Sequence, residues 1–434
     1  CCWPSRRPWR RAPGVEVFCG GWLCFGGTTY SEPSNRSRRV RRTKIADRVG
    51  ASTQGFVRVL ALFRQNTGPF RTKEATVVIS PAQEFVADDP RFAAMISACA
   101  DGAAVERIDT HGAAVFLAGS FAYKVKRPVA FAYMDLSTPE KRRAACEAEI
   151  RLNRRTAPDI YLGLAPIHHD PTSLMLGAVG DPIDAGGECV VVMRRFDQDT
   201  LFDRLAEQRR LGDDHVLGLA EAIATFHDTA EVIRDRGGAE EMRWVVEENL
   251  SELAEGTGVF DAGDLERLAD LTRARMDGAA ATIDVRMAGG FVRWCHGDLH
   301  LRNVCLVDGR PTIFDALEFN ESLAITDTMY DLAYALMDLL HRGLRRQACL
   351  LLNRYLERFA DDEGLALLSF FMSVRAAVRA KVSLSMAAVQ TEPSAAATCR
   401  TEAKDYLQRA IAFLAPVTPR IVAIGGLSGS GKST

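Results

Sequence analysis

The 434-residue chain is 47% hydrophobic and 25% charged, an ordinary globular balance with length for two or three domains. Its net charge of −2 is uneven: residues 1–75 hold 15 Lys/Arg against 4 Asp/Glu, a surplus of 11, so the remainder carries −13. An acidic body argues against a nucleic-acid surface, and the lack of any apolar run of about 18 residues argues against a membrane span.

The 11 cysteines are scattered without a C-x-x-C pair. Cys99, Cys146, Cys189, Cys295 and Cys305 sit in apolar runs, as buried thiols do, which suits a reduced, cytoplasmic setting. Residues 1–79 read as a basic, disordered extension: RRPWRR and RSRRVRR are separated by Gly, Ser and Pro with no sustained period. Neither a signal peptide nor a transit peptide fits them well.

Regular periodicity starts near Ser80. PAQEFVADDPRFAAMISACA reads as a helix, followed by the strands VERID, AVFLAG and FAYKVKRPV. In the third strand Lys124 and Lys126 face one way, Tyr123 and Val125 the other. A lysine on the inner face of a small sheet is what nucleotide phosphates require, and alternation does not choose between the two. STPEKRRAACEAEIRLNRR then reads as a helix, with Ser137 and Glu140 as a capping box and Pro139 in the first turn. On it Glu149 shares a face with Ala145, Cys146 and Leu152, whereas Glu147 lies among Arg143 and Arg151 and is the solvated one. ECVVVMRRF reads as an apolar, β-branched strand ending in charge, whose end at Met193–Arg195 fits a hinge and a plain buried strand equally. Helical patterns dominate from LFDRLAEQ onwards, and His227 in one of them reads as a packed core histidine.

The chemistry concentrates in Trp294 to Phe319, WCHGDLHLRNVCLVDGRPTIFDALEF. Asp298 and Asn303 stand as D-x-x-x-x-N, the spacing that puts a base beside an acceptor hydroxyl and an amide oxygen on Mg²⁺. Val304–Val307 and Thr312–Phe314 read as strands joined by the tight turn Asp308-Gly309. That hairpin brings Asn303 and Asp315 together, a hard-oxygen pair suited to Mg²⁺.

HGDLHLRN followed by IFD resembles the aminoglycoside phosphotransferase branch of the protein-kinase-like fold. The resemblance implies an α+β, two-lobed fold, a small antiparallel sheet lobe over a large helical lobe, spanning residues 80–415. It implies ATP and Mg²⁺ as cofactors and a small-molecule hydroxyl as substrate. Asp298 would be the catalytic base, Asn303 and Asp315 the metal ligands, Lys124 the phosphate lysine with Glu149 as its partner, and Asp331 a carboxylate steadying the catalytic loop. Ala316-Leu317 replaces the Phe-Gly of protein kinases, so their activation switch is not expected. Glu318 and Asn320 resemble an extension of the metal-aspartate motif.

Residues 416–434 read as a linker and the beginning of a P-loop α/β domain. The strand IVAIG precedes Gly426-Leu427-Ser428-Gly429-Ser430-Gly431-Lys432-Ser433, which fits G-x-x-x-x-G-K-[ST]. Gly426, Gly429 and Gly431 would let backbone amides wrap phosphate, Lys432 would reach its outer oxygens, and Ser433, beside Thr434, would hold Mg²⁺. The order of motifs resembles bacterial two-domain proteins in which a phosphotransferase-like domain precedes a P-loop ATPase or kinase domain. The expected activity is phosphoryl transfer from ATP to a small molecule. The alternative is a nucleotide-binding module that regulates, or selects substrate for, the P-loop domain.

Overall fold

The computed structural model describes residues 86–416 apart from 111, 132–133, 170–171, 257 and 391. The basic extension and the P-loop motif, including Gly426, Gly429, Gly431, Lys432, Ser433 and Thr434, lie outside the described residues.

Strand alternation builds the first lobe. Helix α1 (Pro90–Cys99), started by Asp89 and Pro90, precedes β1 (Val105–Asp109), β2 (Ala113–Ala118) and β3 (Phe121–Lys126). A small hairpin, β4 (Ala130–Phe131) and β5 (Met134–Asp135), leads to helix α2 (Pro139–Asn153), then β6 (Tyr161–His169), β7 (Leu174–Leu176) and β8 (Glu188–Arg194). The main sheet runs β1-β2-β3-β8-β6-β7 with antiparallel pairing throughout. On one face Tyr123, Val125 and Val190 pack under Phe92 and Ile96 of α1. On the other, Ala122 and Val191 meet Cys146 of α2, and this is the side to which Lys124 and Lys126 point. Each large apolar side chain so buried contributes roughly 1.5–3 kcal/mol, so the lysines stand on a rigid floor.

The second lobe is helical. It contains α3 (Phe202–Glu207), α4 (Asp213–Thr229), α5 (Ala239–Glu255) and the long α6 (Ala262–Gly289), then the short strand β9 (Val292–Trp294). The hairpin β10 (Val304–Val307) and β11 (Arg310–Ile313) is followed by α7 (Glu321–Ala324) and β12 (Ile325–Asp327), which pairs with β9. Helices α8 (Thr328–His341), α9 (Arg345–Phe359), α10 (Leu365–Val389) and α11 (Pro393–Leu414) complete it. Every residue of α8 from Thr328 to Leu339 is buried, as expected of a helix that is apolar nearly all round. Asp327 caps it by accepting from Met329 N at 2.8 Å. Among the described residues no helix is long and apolar enough to cross a membrane.

Several sequence expectations shift. The cap of α2 is Thr138, whose hydroxyl accepts from Lys141 N, while Ser137 donates to Asp135. Pro139 forces the residue before it to be extended, and Thr138 has φ −116° and ψ 155°. Within the region of helical patterns, Ile325–Asp327 forms the strand β12, because β-branched Ile325 and Thr326 pair with β9 before Asp327 caps α8. Of the five cysteines expected inside, Cys99 is exposed at the end of α1 and the other four are buried. The amides of Arg194 and Arg195, at the expected hinge, are bonded to Ile160 O and Ser120 O.

Candidate active site

The loop between β9 and β10 is held from below by α8. Asp331, fully buried, accepts from the backbone N–H of His296 at 3.1 Å and of Gly297 at 2.9 Å, and from His227 Nε2 at 3.1 Å. Burial alone would raise its pKa, but the His227 bond and the nearby His296 and Arg375 hold it at about 2. His227 reaches Tyr355 OH at 2.9 Å through its other nitrogen. Cys295 completes a converging trio with His227 and Asp331, yet its thiol bonds Thr326 O and the other two bond each other, so the trio is a buttress. Arg375 on α10 bonds Gly297 O at 3.0 Å and Tyr330 O at 3.2 Å. Gly297 adopts φ +81°, a left-handed conformation in which a side chain is strained.

This frame presents Asp298 to solvent, its side chain 36% exposed. Asn303 Nδ2 donates to Asp298 Oδ2 at 3.0 Å and to its backbone O at 2.9 Å. His300 Nε2 lies 3.4 Å from the same Oδ2, which leaves Oδ1 facing outward. Burial would raise the Asp298 pKa, but His300 and His296 hold it well below the usual carboxylate range. Leu301 N is fixed by Asp338 on α8 at 3.0 Å.

The hairpin then returns: Phe314 N bonds Asn303 O at 3.0 Å, so Asp315 starts where Asn303 ends. His296 accepts from Asp298 N through Nδ1, so its Nε2 carries the proton and donates to Phe314 O at 2.9 Å. Burial lowers the pKa of this imidazole, favouring the neutral ring that makes both bonds. Asp315 has φ +60°, which costs on the order of 1 kcal/mol. The conformation is held by Asp315 N to Tyr161 OH at 3.1 Å and Ala316 N to Asn153 Oδ1 at 2.8 Å.

Five charges meet where the lobes join. Lys124 Nζ bridges Glu149 Oε1 at 2.8 Å and Asp315 Oδ1 at 2.7 Å. Lys126 Nζ contacts Glu149 Oε2 at 2.6 Å and also pairs with Glu318. Desolvation opposes the charge on both lysines, but the carboxylates outweigh it and raise their pKa values. Glu149, against its own burial, is kept low by the two lysines, whereas burial pushes Glu318 up. Glu149 and Glu318 side chains are 0% and 9% exposed, against 41% for Asp315. Asp315 and Asp298 are therefore the carboxylates that can reach a ligand. Glu147 instead pairs with Arg143 at the surface, and Asn320 caps α7 through Ser322 N.

The Asp315 carboxylate and the Asn303 amide oxygen are hard donors of the kind Mg²⁺ takes. Sequence reading had not found the Lys126–Glu318 pair, the Tyr161 and Asn153 braces or Arg375. Arginines spaced four apart in the otherwise apolar α10 were the available signal for the last.

A sheet lobe and a helical lobe with these side chains at their junction define a kinase-like phosphotransferase architecture. The chain belongs to the phosphotransferase enzyme family, whose model matches residues 130–368. An uncharacterized protein of Mycobacterium tuberculosis is 34% identical over 335 residues, 75% of this chain and 63% of the relative, and one of Mycobacterium bovis matches equally. The chain thus spans less than two thirds of these curated relatives. Among solved structures, a choline/ethanolamine kinase family protein from Mesorhizobium loti is 17% identical, with 76% of this chain and 96% of that one covered and a TM-score of 0.42. Aminoglycoside 2'-phosphotransferase-IIIa, solved with GDP, is 16% identical, with 72% and 97% covered and a TM-score of 0.44.

Proposed function

We propose that this domain transfers the γ-phosphoryl group of ATP to a hydroxyl of a small molecule. The observation that carries the reading is the junction itself: Lys124 spans Glu149 and Asp315, while Asp298, fixed by Asn303 and His300, turns a free carboxylate oxygen outward. Lys124 would bind the nucleotide's phosphates, with Glu149 holding its ammonium in place. Asn303 and Asp315 would hold Mg²⁺, which when bound neutralises charge on the phosphates.

Asp298 would orient the acceptor hydroxyl and take its proton. Its low pKa makes it a weak base toward a free alcohol. Proton transfer becomes favourable once the oxygen has begun to bond phosphorus, the order expected for a loose phosphoryl-transfer transition state. Asn303 keeps Oδ2 engaged, so Oδ1 is the accepting atom.

The test is Mg·ATP consumption over a panel of hydroxyl compounds by the chain and by Asp298→Ala. Turnover should fall by roughly 10²–10⁴ as for loss of a general base, with nucleotide binding retained. Unchanged turnover would remove Asp298 from the mechanism.

A further inference from the structure

Arg286 and Arg375 are both buried in the helical lobe, at 2% and 5% exposure, on opposite terms. Arg286 on α6 meets two carboxylates, Asp327 and Asp361, in four contacts of 2.6–2.8 Å. Arg375 on α10 has no carboxylate at hydrogen-bond distance among the described residues. Its Nη2 stops 3.8 Å from Asp331 Oδ1 and finds no hydrogen-bond partner there. A cation buried without a bonded carboxylate, with one nitrogen unmet, works against folding. Residues that break a packing rule in this way are found where function needs them, so the bonds made by the other two nitrogens carry the explanation.

Those bonds close a ring around Gly297. Arg375 Nη1 donates to Gly297 O at 3.0 Å and Nε to Tyr330 O at 3.2 Å. Tyr330 precedes Asp331, and Asp331 Oδ1 accepts from Gly297 N at 2.9 Å. Both backbone groups of Gly297 are thus held by side chains, the N–H by an anion on α8 and the carbonyl by a cation on α10. That carbonyl belongs to the same peptide as the Asp298 N–H, which donates to His296 Nδ1 at 3.3 Å, so the peptide is fixed at both ends. It leads into the Cα of Asp298 and sets the direction in which that side chain leaves the loop. Gly297, at φ +81° and without a Cβ, would let the peptide turn to other orientations. The guanidinium also lies over the rings of Tyr330 and Tyr334, at 3.7 and 4.7 Å. Tyr334 in turn packs edge-on against His300, with centroids 5.3 Å apart, and His300 Nε2 is 3.4 Å from Asp298 Oδ2.

We propose that Arg375 is a positioning residue for phosphoryl transfer: through the Gly297 carbonyl it holds the Gly297–Asp298 peptide in the orientation that turns Asp298 Oδ1 toward the acceptor hydroxyl. The inference rests on the phosphotransferase reading and adds to it a residue from α10 that acts through Asp298 rather than on nucleotide or acceptor. Asp331 alone does not do this, because it holds the N–H side of Gly297 and leaves the next peptide to His296. Arginine suits the role: its rigid planar fork spans two carbonyls on different elements, whereas a lysine ammonium is a point charge on a flexible stem.

The experiment follows ADP release from Mg·ATP, first with water as the acceptor and then with whichever hydroxyl compound raises it, and in parallel the affinity for the unhydrolysed analogue AMP-PNP by calorimetry. Arg375→Met keeps bulk between the tyrosines and removes the donors. It should lower kcat roughly 10–100-fold, the scale on which a misplacement of about 1 Å is felt, and leave the KM for ATP and the AMP-PNP affinity unchanged. Arg375→Gln keeps one donor for the Gly297 carbonyl, so its kcat should fall between those of the parent and Arg375→Met, and it takes the place of the methionine variant if that one does not fold. In an Asp298→Ala background the same substitution should lower the residual turnover no further, because Arg375 acts through Asp298. A side chain that only supports the fold would lower both backgrounds alike. An unchanged kcat in Arg375→Met, a loss of nucleotide affinity as large as that of kcat, or an undiminished loss in the Asp298→Ala background would each overturn the proposal. A parent chain that binds no AMP-PNP or releases no ADP would instead defeat the phosphotransferase reading on which it rests.

Discussion

Replacing Asp331 by Asn tests the support of the loop that carries Asp298 without changing its shape. The carboxylate accepts three hydrogen bonds, from His296 N, Gly297 N and His227. An amide has one oxygen, so it can serve one of the two backbone donors and must turn its NH₂ toward the other. One buried N–H left unmet costs about 1–3 kcal/mol, and the remaining bonds lose their charge assistance. A total of about 3 kcal/mol is a large part of the 5–15 kcal/mol typical of a domain, and the variant should still fold. Urea unfolding at pH 7 should show the lower midpoint, and kcat should fall more than nucleotide affinity. The pH dependence adds a second arm. The Asp331 pKa is depressed from 3.8 to about 2 in the folded chain, so its contribution is complete above the unfolded pKa and is lost as pH falls from about 4 to 2. Its size is about 2 kcal/mol, and the Asn variant should lack that part of the acid response. A variant with an unchanged midpoint and the full acid response would refute the reasoning.

Lys126→Met leaves Glu149 and Glu318 buried without their shared cation, a loss of about 3–5 kcal/mol that should appear as a lower Tm and weaker nucleotide binding. Adding Glu318→Leu should recover part of it, and a single variant as stable as the parent would discount the pair. Arg286→Leu strands Asp327 and Asp361 and should cost about as much. Stranded carboxylates have raised folded pKa values, so this variant should regain stability as pH falls from 7 to 5, and equal losses at both pH values would contradict it. With Mg²⁺ present, Asp315→Ala should weaken ATP binding and Lys432→Ala should not, by calorimetry. The reverse pattern would place the nucleotide site in the C-terminal motif.

The parts of the site that could be read from sequence are those joined by short separations. Asp298 and Asn303 are five apart, Asn303 and Asp315 are linked by one hairpin, and helical periodicity alone set Glu149 apart from Glu147. The braces are long-range: Tyr161 to Asp315 spans 154 positions, Arg375 to Gly297 spans 78 and Arg286 to Asp361 spans 75. No local pattern encodes such pairs. Strand β6 went unread because Gly163 and Pro166 interrupt YLGLAPIHH, and both weaken a strand signal. In the fold the pairing with β8 shifts register between Tyr161 and Gly163, which is how the sheet absorbs the glycine.

Lys124 is already committed to Asp315 before any nucleotide is considered. If it is the phosphate lysine, ATP arrives by exchange: a phosphate oxygen takes over an ammonium that gives up a carboxylate, and the freed Asp315 becomes available to a cation. Ion pairs are swapped more than they are added. Nucleotide affinity should then depend only shallowly on ionic strength, and Mg²⁺ and ATP should bind with positive cooperativity, because each removes the competitor of the other.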